Sequence, residues 1–346
     1  MAGKQGSKIK LLAVLEILWN CSDDDHVLTA NEICEKLEEY NIIAERKSIY
    51  ADIDNLCKFG VDIVNTKSPS RGFFLASRQF QVAEVRLLAD AVQAANFITS
   101  KKAKALKEKL YGLLSNSQAD IIDKQIITES KLKCTNEELY YTIDTINCAI
   151  KDEKKIEFKY IKRRMTERTT SGTEEKSFIV SPYALIWNGD RYYLVSNNSK
   201  YDNLMHTRLD RMGKVTILEE KVRSFTEVSE YKGTFDAADY ACKHLNMFTG
   251  SVKNIELRCS NAIIDDILDR FGCDIPLCMD GEGYFIIRVK TAVSRGLVSW
   301  ILQYGADIEV RSPKDLVNDV KEKAKSIWIL YEMKKSSLHS EVFDSA

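Results

Sequence analysis

The chain has 346 residues, 45% of them hydrophobic and 29% charged, with a formal net charge of −1. That length predicts two or three domains, and that composition a globular protein rather than a disordered or fibrous one. The near-zero net charge argues against a generic polyanion binder, and no apolar run reaches the roughly 18 residues of a spanning helix.

The first ten residues carry lysines but lead straight into a charged amphipathic segment, not a signal peptide. Nine cysteines are scattered along the chain, odd in number and without a CxxC spacing. They read as reduced thiols in a cytoplasmic protein.

Residues 8–20, KIKLLAVLEILWN, space Ile9, Leu12, Leu15 and Trp19 as one helix face. After the polar loop SDDDHV, Thr29 with Glu32 three residues on forms a capping box for a second helix, in which Ile33 and Leu37 are the buried stripe. A third helix follows at AERKSIYADIDNL, with Ile49, Ile53 and Leu56 inward and Gly60 as its stop. Two short strands, VDIVNTK and RGFFLA, flank an SPS turn. Three helices and a β-hairpin in this order predict a winged helix-turn-helix over residues 1–78.

Arg46 and Lys47 stand at the start of the third helix, where the helix dipole disfavours cations. Either that helix is a solvated surface element, or its front end faces an anion. In a helix-turn-helix the third helix enters the major groove with its N-terminal residues near DNA. The expected DNA-binding residues are therefore Arg46, Lys47, Ser48, Tyr50 and Asn55, with Lys67 and Arg71 on the wing.

Residues 79–152 are helical in pattern and carry no evident chemistry. Val82, Val85, Leu88, Ala89 and Val92 are the expected inner face, and the segment is a helical linker with a share in dimerisation. From Lys155 the period changes to two. KIEFKYIKR, EKSFIVSPYALIW, RYYLVS, LMHTRL and KVTILEE are five strands, with Asn188-Gly189 marking a hairpin. Five short strands over residues 153–224 predict a small antiparallel barrel. A mixed connector, 225–250, leads to a βαββαβ order over 251–335, which is ferredoxin-like.

Charge is uneven along the chain. Residues 1–78 hold ten Lys/Arg against twelve Asp/Glu, 154–223 hold fifteen against nine, and 250–335 hold thirteen against thirteen. The basic surplus lies in the five-strand segment, the better candidate for an anionic ligand.

That segment resembles the WYL domain, an Sm/SH3-like barrel, through SPYALIWNGDRYYLVS and the following HTRLDRM. Tyr192, Tyr193 and Leu194 stand at the name-giving Trp-Tyr-Leu, so the first letter departs. The flanks resemble the family's three-part regulators, which join a winged helix-turn-helix, a WYL domain and a ferredoxin-like C-terminal extension called WCX. ILQYGADIEVRSPKDL looks like the end of such an extension. The implied fold class is thus α+β and multidomain. The family's third helix reads like Arg-Thr-Ile-x-Arg-Asp-Ile behind a Ser or Thr cap. Here Ala44 is the expected cap position, a loss of about 1 kcal/mol, and Ala51 replaces the second Arg.

The resemblance implies a nucleic-acid-like ligand on a patch of Ser, Tyr, His and Arg. It carries that role to Ser181, Tyr183, His206 and Arg208, and to Arg191, Tyr193 and Arg211 beside them. Arg grips phosphate and Tyr stacks on a base. The residues leave plainer roles open. His206 fits a satisfied barrel histidine, Arg208 and Arg211 fit ion pairs with Asp210 or Asp202, and the basic stretch IKRRMTER at 161–168 fits a solvated face.

No phosphate loop, GxSxG elbow or HExxH pair occurs, and the four histidines lack metal spacing. The expectation is a non-enzymatic, cytoplasmic, homodimeric transcriptional regulator with no cofactor and no membrane partner. It binds double-stranded operator DNA and senses single-stranded DNA, RNA or a nucleotide. The alternative is an RNA- or ssDNA-binding accessory protein of a phage-defence or CRISPR system.

Overall fold

The first helix, α1 (Gly3–Cys21), buries Ala13, Val14, Ile17 and Leu18, while Ile9 and Leu12 are 58% and 66% exposed. This corrects the face expected from Ile9, Leu12, Leu15 and Trp19. Apolar residues nearly encircle the helix, so spacing alone permits several faces. The register follows from tertiary contacts, including Lys10 at 2.8 Å from the buried Asp52.

The computed structural model describes residues 3–68, 70–125, 133–164, 172–189, 191–229, 231 and 235–341. It divides into two units, Met1–Glu137 and Glu138–Ala346. In the first, α2 (Ala30–Glu39) starts at the capping box that the sequence predicts, with Glu32 N–H donating to Thr29 Oγ1 and Thr29 N–H to Glu32 Oε2. The next helix, α3 (Arg46–Phe59), buries Ile49, Ile53 and Leu56 and stops at Gly60, whose φ of 105° suits a residue without Cβ. Strands β1 (Ile63–Thr66) and β2 (Gly72–Leu75) pair antiparallel, and Leu28 bridges to Phe73 beside them. A Cβ on Gly72 would sit 2.8 Å from the Leu28 carbonyl oxygen, so this close approach requires glycine. Pro69, within the expected SPS turn, lies outside the described residues.

Three helices complete the unit: α4 (Val82–Ala94), α5 (Ser100–Tyr111) and α6 (Asn116–Gln125). Val85 and Ala89 are buried, but Val82 and Leu88 are exposed, which corrects that part of the expected inner face. Arg78, between β2 and α4, ties that segment to the end of α1. Its guanidinium lies over the Trp19 ring and donates to the Trp19 and Ser22 carbonyls at 2.7 and 2.8 Å.

In the second unit α7 (Leu139–Lys151), which the sequence reading places in the linker, packs Leu139, Thr142, Ile146 and Ala149 inward against a sheet. That sheet comprises β3 (Lys154–Arg164), β4 (Gly172–Asn188), β5 (Arg191–Asn197), β6 (Met205–Arg208) and β7 (Met212–Lys221). The strand order is β6-β5-β4-β3-β7, with every pair antiparallel. The long β4 pairs with β3 up to Val180 and with β5 from Ser181, so it belongs to both halves of the sheet. Two short helices, α8 (Phe225–Val228) and α9 (Ala237–Lys243), bring Phe225 and Tyr240 into an aromatic cluster with Tyr183, Tyr231 and Phe235.

The chain then forms β8 (Ser251–Ser260), α10 (Ile264–Phe271), β9 (Leu277–Met279), β10 (Tyr284–Val293), α11 (Arg295–Gln303), β11 (Ile308–Ser312) and α12 (Lys314–Glu341). The second sheet has the order β11-β8-β10-β9, again antiparallel throughout. Its core gathers Leu257, Ile267, Phe285, Ile287 and Leu297. The whole is a mixed helix-and-sheet, multidomain chain.

Candidate functional site

In the first unit the start of α3 carries the predicted cations. Glu45, not Ala44, is the N-cap residue, and its side chain makes no capping bond. The chain enters the helix one residue later than spacing suggests. There the Ser48 amide and hydroxyl both donate to the Glu45 carbonyl at 2.8 Å. Ser48 therefore closes the first turn and does not point outward as a free donor.

Arg46 lies along its own helix and donates to the Tyr50 hydroxyl at 3.2 Å. The Tyr50 ring rests edge-on against Phe73 of β2, 5.6 Å between centroids. Arg46, Tyr50 and Arg71 share a shallow depression of about 180 Å³ with Thr29, Asn31 and Asn65. Lys47, Asn55 and Lys67 are exposed but do not line it.

In the second unit a cleft of about 680 Å³ is lined by Arg191, Tyr193, His206, Arg208 and Arg211. Strand register explains the grouping. Tyr193 pairs with Arg208 and Val195 with His206, so period-two alternation puts Tyr193, His206 and Arg208 on one face. The Arg208 guanidinium is held by Asp210 in a two-point pair, and Asp210 also lies 3.7 Å from Arg191. Three guanidiniums against one carboxylate leave the cleft basic by two charges. Burial pushes the Tyr193 phenol up, so it stays protonated as a donor, although Arg208 and Arg191 pull the other way.

His206 is neutral and fully bonded. A carbonyl only accepts, so Nδ1 carries the proton and donates to the Met247 carbonyl at 2.6 Å. Nε2 then accepts from the Tyr240 hydroxyl at 2.7 Å. Burial, with His244 nearby, pushes its pKa down to about 4. His206 forms the wall of the cleft rather than offering a charge.

Ser181 and Tyr183, expected beside these residues, stand elsewhere. The Ser181 hydroxyl accepts from the Arg223 amide at 2.9 Å, and the Tyr183 hydroxyl donates to the Arg223 carbonyl at 2.9 Å. The two stay together, both bonded to Arg223, but neither lines the cleft of Arg191, His206 and Arg208. Tyr183 lines a different hollow with Phe225 and Pro182. Both residues anchor the segment between β7 and α8.

Sequence reasoning missed Tyr160, Asn188 and the turn Asn246–Thr249, which complete the cleft. Tyr160 is legible as a residue on the same face of β3 as Phe158. The turn has no sequence signal, because Asn246 and Met247 adopt φ values of 49° and 55° without a glycine. Of the basic stretch 161–168, residues 165–168 lie outside the described residues. Among the described residues, no group of His, Cys, Asp or Glu is arranged to hold a metal ion. Likewise no helix is long and apolar enough to cross a membrane.

A family model described as the WYL domain matches residues 141–217, and one described as the WCX domain matches residues 254–328. No curated protein matches the sequence. Among solved structures, proteasome accessory factor B/C (PafBC) of Arthrobacter aurescens is similar at 15% identity, with a TM-score of 0.28. The match covers 90% of this chain and 47% of that one, so the chain spans about half its length. A protein described as CRISPR Cas-related is similar at 14% identity, over 95% of this chain and 86% of that one, with a TM-score of 0.36.

Proposed function

We propose, from the WYL domain and the WCX domain that this chain carries in that order, that it is a ligand-responsive transcriptional regulator. In this reading the five-stranded sheet is the Sm/SH3-like WYL barrel and the four-stranded sheet the ferredoxin-like WCX fold. The three N-terminal helices and hairpin are a winged helix-turn-helix that binds operator DNA. The protein works in the cytoplasm, as a dimer and without catalysis.

The observation that carries the reading is the grouping of Arg191, Arg208 and Arg211 with Tyr193 around one cleft. Guanidiniums bind phosphate through a planar fork, and a protonated tyrosine both stacks on a base and donates a hydrogen bond. The ligand class is single-stranded DNA, RNA or a nucleotide. On the duplex side Arg46, Lys47 and Arg71 meet phosphates, with Tyr50 and Asn55 toward base edges. The ligand acts by binding one DNA-binding state better than the other.

A route for coupling starts at the cleft wall. The turn Asn246–Thr249 is both cleft lining and the entrance to β8. Phe248 packs so closely on Gly296 that a Cβ there would lie 2.5 Å from its ring. A ligand that shifts the turn therefore presses on the start of α11. The test is fluorescence anisotropy of a labelled single strand with the full chain, against Arg191→Ala plus Arg211→Ala. Binding that falls at least tenfold in the variant supports the reading. Equal binding removes the cleft as the ligand site.

A further inference from the structure

A second cavity in the second unit, of about 620 Å³, has a chemistry opposite to that of the cleft. Its volume suits a small molecule. Leu204, Val228, Tyr240 and His244 line it and are nearly fully buried, so they form its floor. The Tyr240 and His244 rings stack, 4.0 Å between centroids and 25° apart in plane, and the Tyr231 ring follows at 6.0 Å from Tyr240. Asp202, Glu227 and Ser251 line the same cavity from exposed positions at its rim.

Charge separates the two hollows. Among the described residues no lysine or arginine lines this cavity. Arg223 reaches both carboxylates from outside the lining, 2.8 Å from Asp202 and 3.0 Å from Glu227. Two carboxylates against one guanidinium leave the rim net negative. Lys243, 5.6 Å from the Tyr231 ring centre, is not part of the lining and is neutralised by Asp239. Aromatic rings carry negative charge density on their faces and attract cations. Rings and carboxylates together select an organic cation with a flat apolar body, and they repel a phosphate-bearing one.

We propose that this cavity is a second ligand site and that it takes a protonated arylalkylamine. The aromatic body lies against the floor of Tyr240 and His244, and the ammonium group meets Asp202 and Glu227. The site shares a wall with the basic cleft. The Tyr240 hydroxyl donates to Nε2 of His206, which lines the cleft, and Thr249 lines both hollows. An occupant that displaces Tyr240 is therefore felt at the cleft. Binding of the amine does not depend on what the cleft takes.

The experiment is isothermal titration calorimetry of the full-length protein with three probes. Tryptamine, tryptophol and indole-3-propionate carry one ring system with a cationic, a neutral and an anionic tail. Wild type binds tryptamine roughly fivefold or more tightly than tryptophol, and indole-3-propionate more weakly still. Ser251→Trp fills the mouth of the cavity from an exposed position and abolishes tryptamine binding. Asp202→Asn plus Glu227→Gln keeps the ring contacts and abolishes the preference for tryptamine over tryptophol. Circular dichroism and thermal unfolding establish that both variants fold as wild type does. A wild type that does not bind tryptamine, or that binds the three probes alike, overturns the proposal. So does tryptamine binding that Ser251→Trp leaves intact, or a preference for the amine that survives the Asp202 and Glu227 changes.

Discussion

His206 donates from Nδ1 to the Met247 carbonyl at 2.6 Å, joining β6 to a turn 41 residues further on. The turn is costly on its own, since Asn246 and Met247 both hold left-handed backbone conformations at about 1–3 kcal/mol each. The His206 bond and the Tyr240 hydroxyl on its other nitrogen keep it in place. His206→Ala is expected to destabilise the chain by about 2–3 kcal/mol, read as a lower urea midpoint. His206→Asn is expected to recover part of that loss, because its amide can still donate to the carbonyl.

The same histidine sets a pH dependence. Its folded pKa is pushed down to about 4 from an ordinary 6.5, so the unfolded chain takes up the proton first. Its contribution is complete above about pH 6.5 and is lost as the pH falls toward 4, on the order of 3 kcal/mol in all. Urea unfolding at a series of pH values should show this slope in wild type and a smaller one in His206→Asn. Identical slopes would mean that His206 does not stay neutral in the folded protein.

Ser181 separates a structural role from a binding one. Ser181→Ala leaves the partly buried Arg223 amide without its acceptor and should cost about 1 kcal/mol of stability. Single-strand affinity should remain within twofold of wild type. A large loss of affinity in a folded protein would return Ser181 to the ligand site.

In the first unit Lys10 and Asp52 form an ion pair at 2.8 Å with little solvent access. Lys10→Met strands a buried carboxylate and is expected to destabilise the first unit by about 3 kcal/mol. Lys10→Met plus Asp52→Leu should recover most of it. Thermal unfolding of the three proteins measures both differences.

Much of this architecture is legible in the sequence, because local chemistry decided it. The Thr29–Glu32 box, the Gly60 stop, the inner face of α3 and the change of period at Lys155 each rest on a few neighbouring residues. Tyr193, His206 and Arg208 were expected at the site from the family resemblance, and strand register puts the three on one face. The misses have tertiary causes. The α1 face was ambiguous because apolar residues nearly encircle the helix. Ser181 and Tyr183 stay together but outside the cleft, because the sequence does not reveal that Arg223 engages both, and α7 was read as linker because a helix pattern does not reveal what it packs against. The turn at Asn246 and Met247 left no trace, since it is held from a distance by His206.

The central claim is that one chain reads duplex DNA at α3 and a single-stranded ligand at the cleft, and that the two are coupled. The most direct measurement is a titration of labelled duplex from the protein's own upstream region. It is run at two salt concentrations, with and without a short single strand, for wild type and Arg46→Ala plus Lys47→Ala. The account predicts selective duplex binding by wild type and a shift of at least fivefold by the single strand. It also predicts a salt slope lower by about two in the variant. Single-strand binding without selective duplex binding, or duplex binding indifferent to both the variant and the single strand, would contradict it.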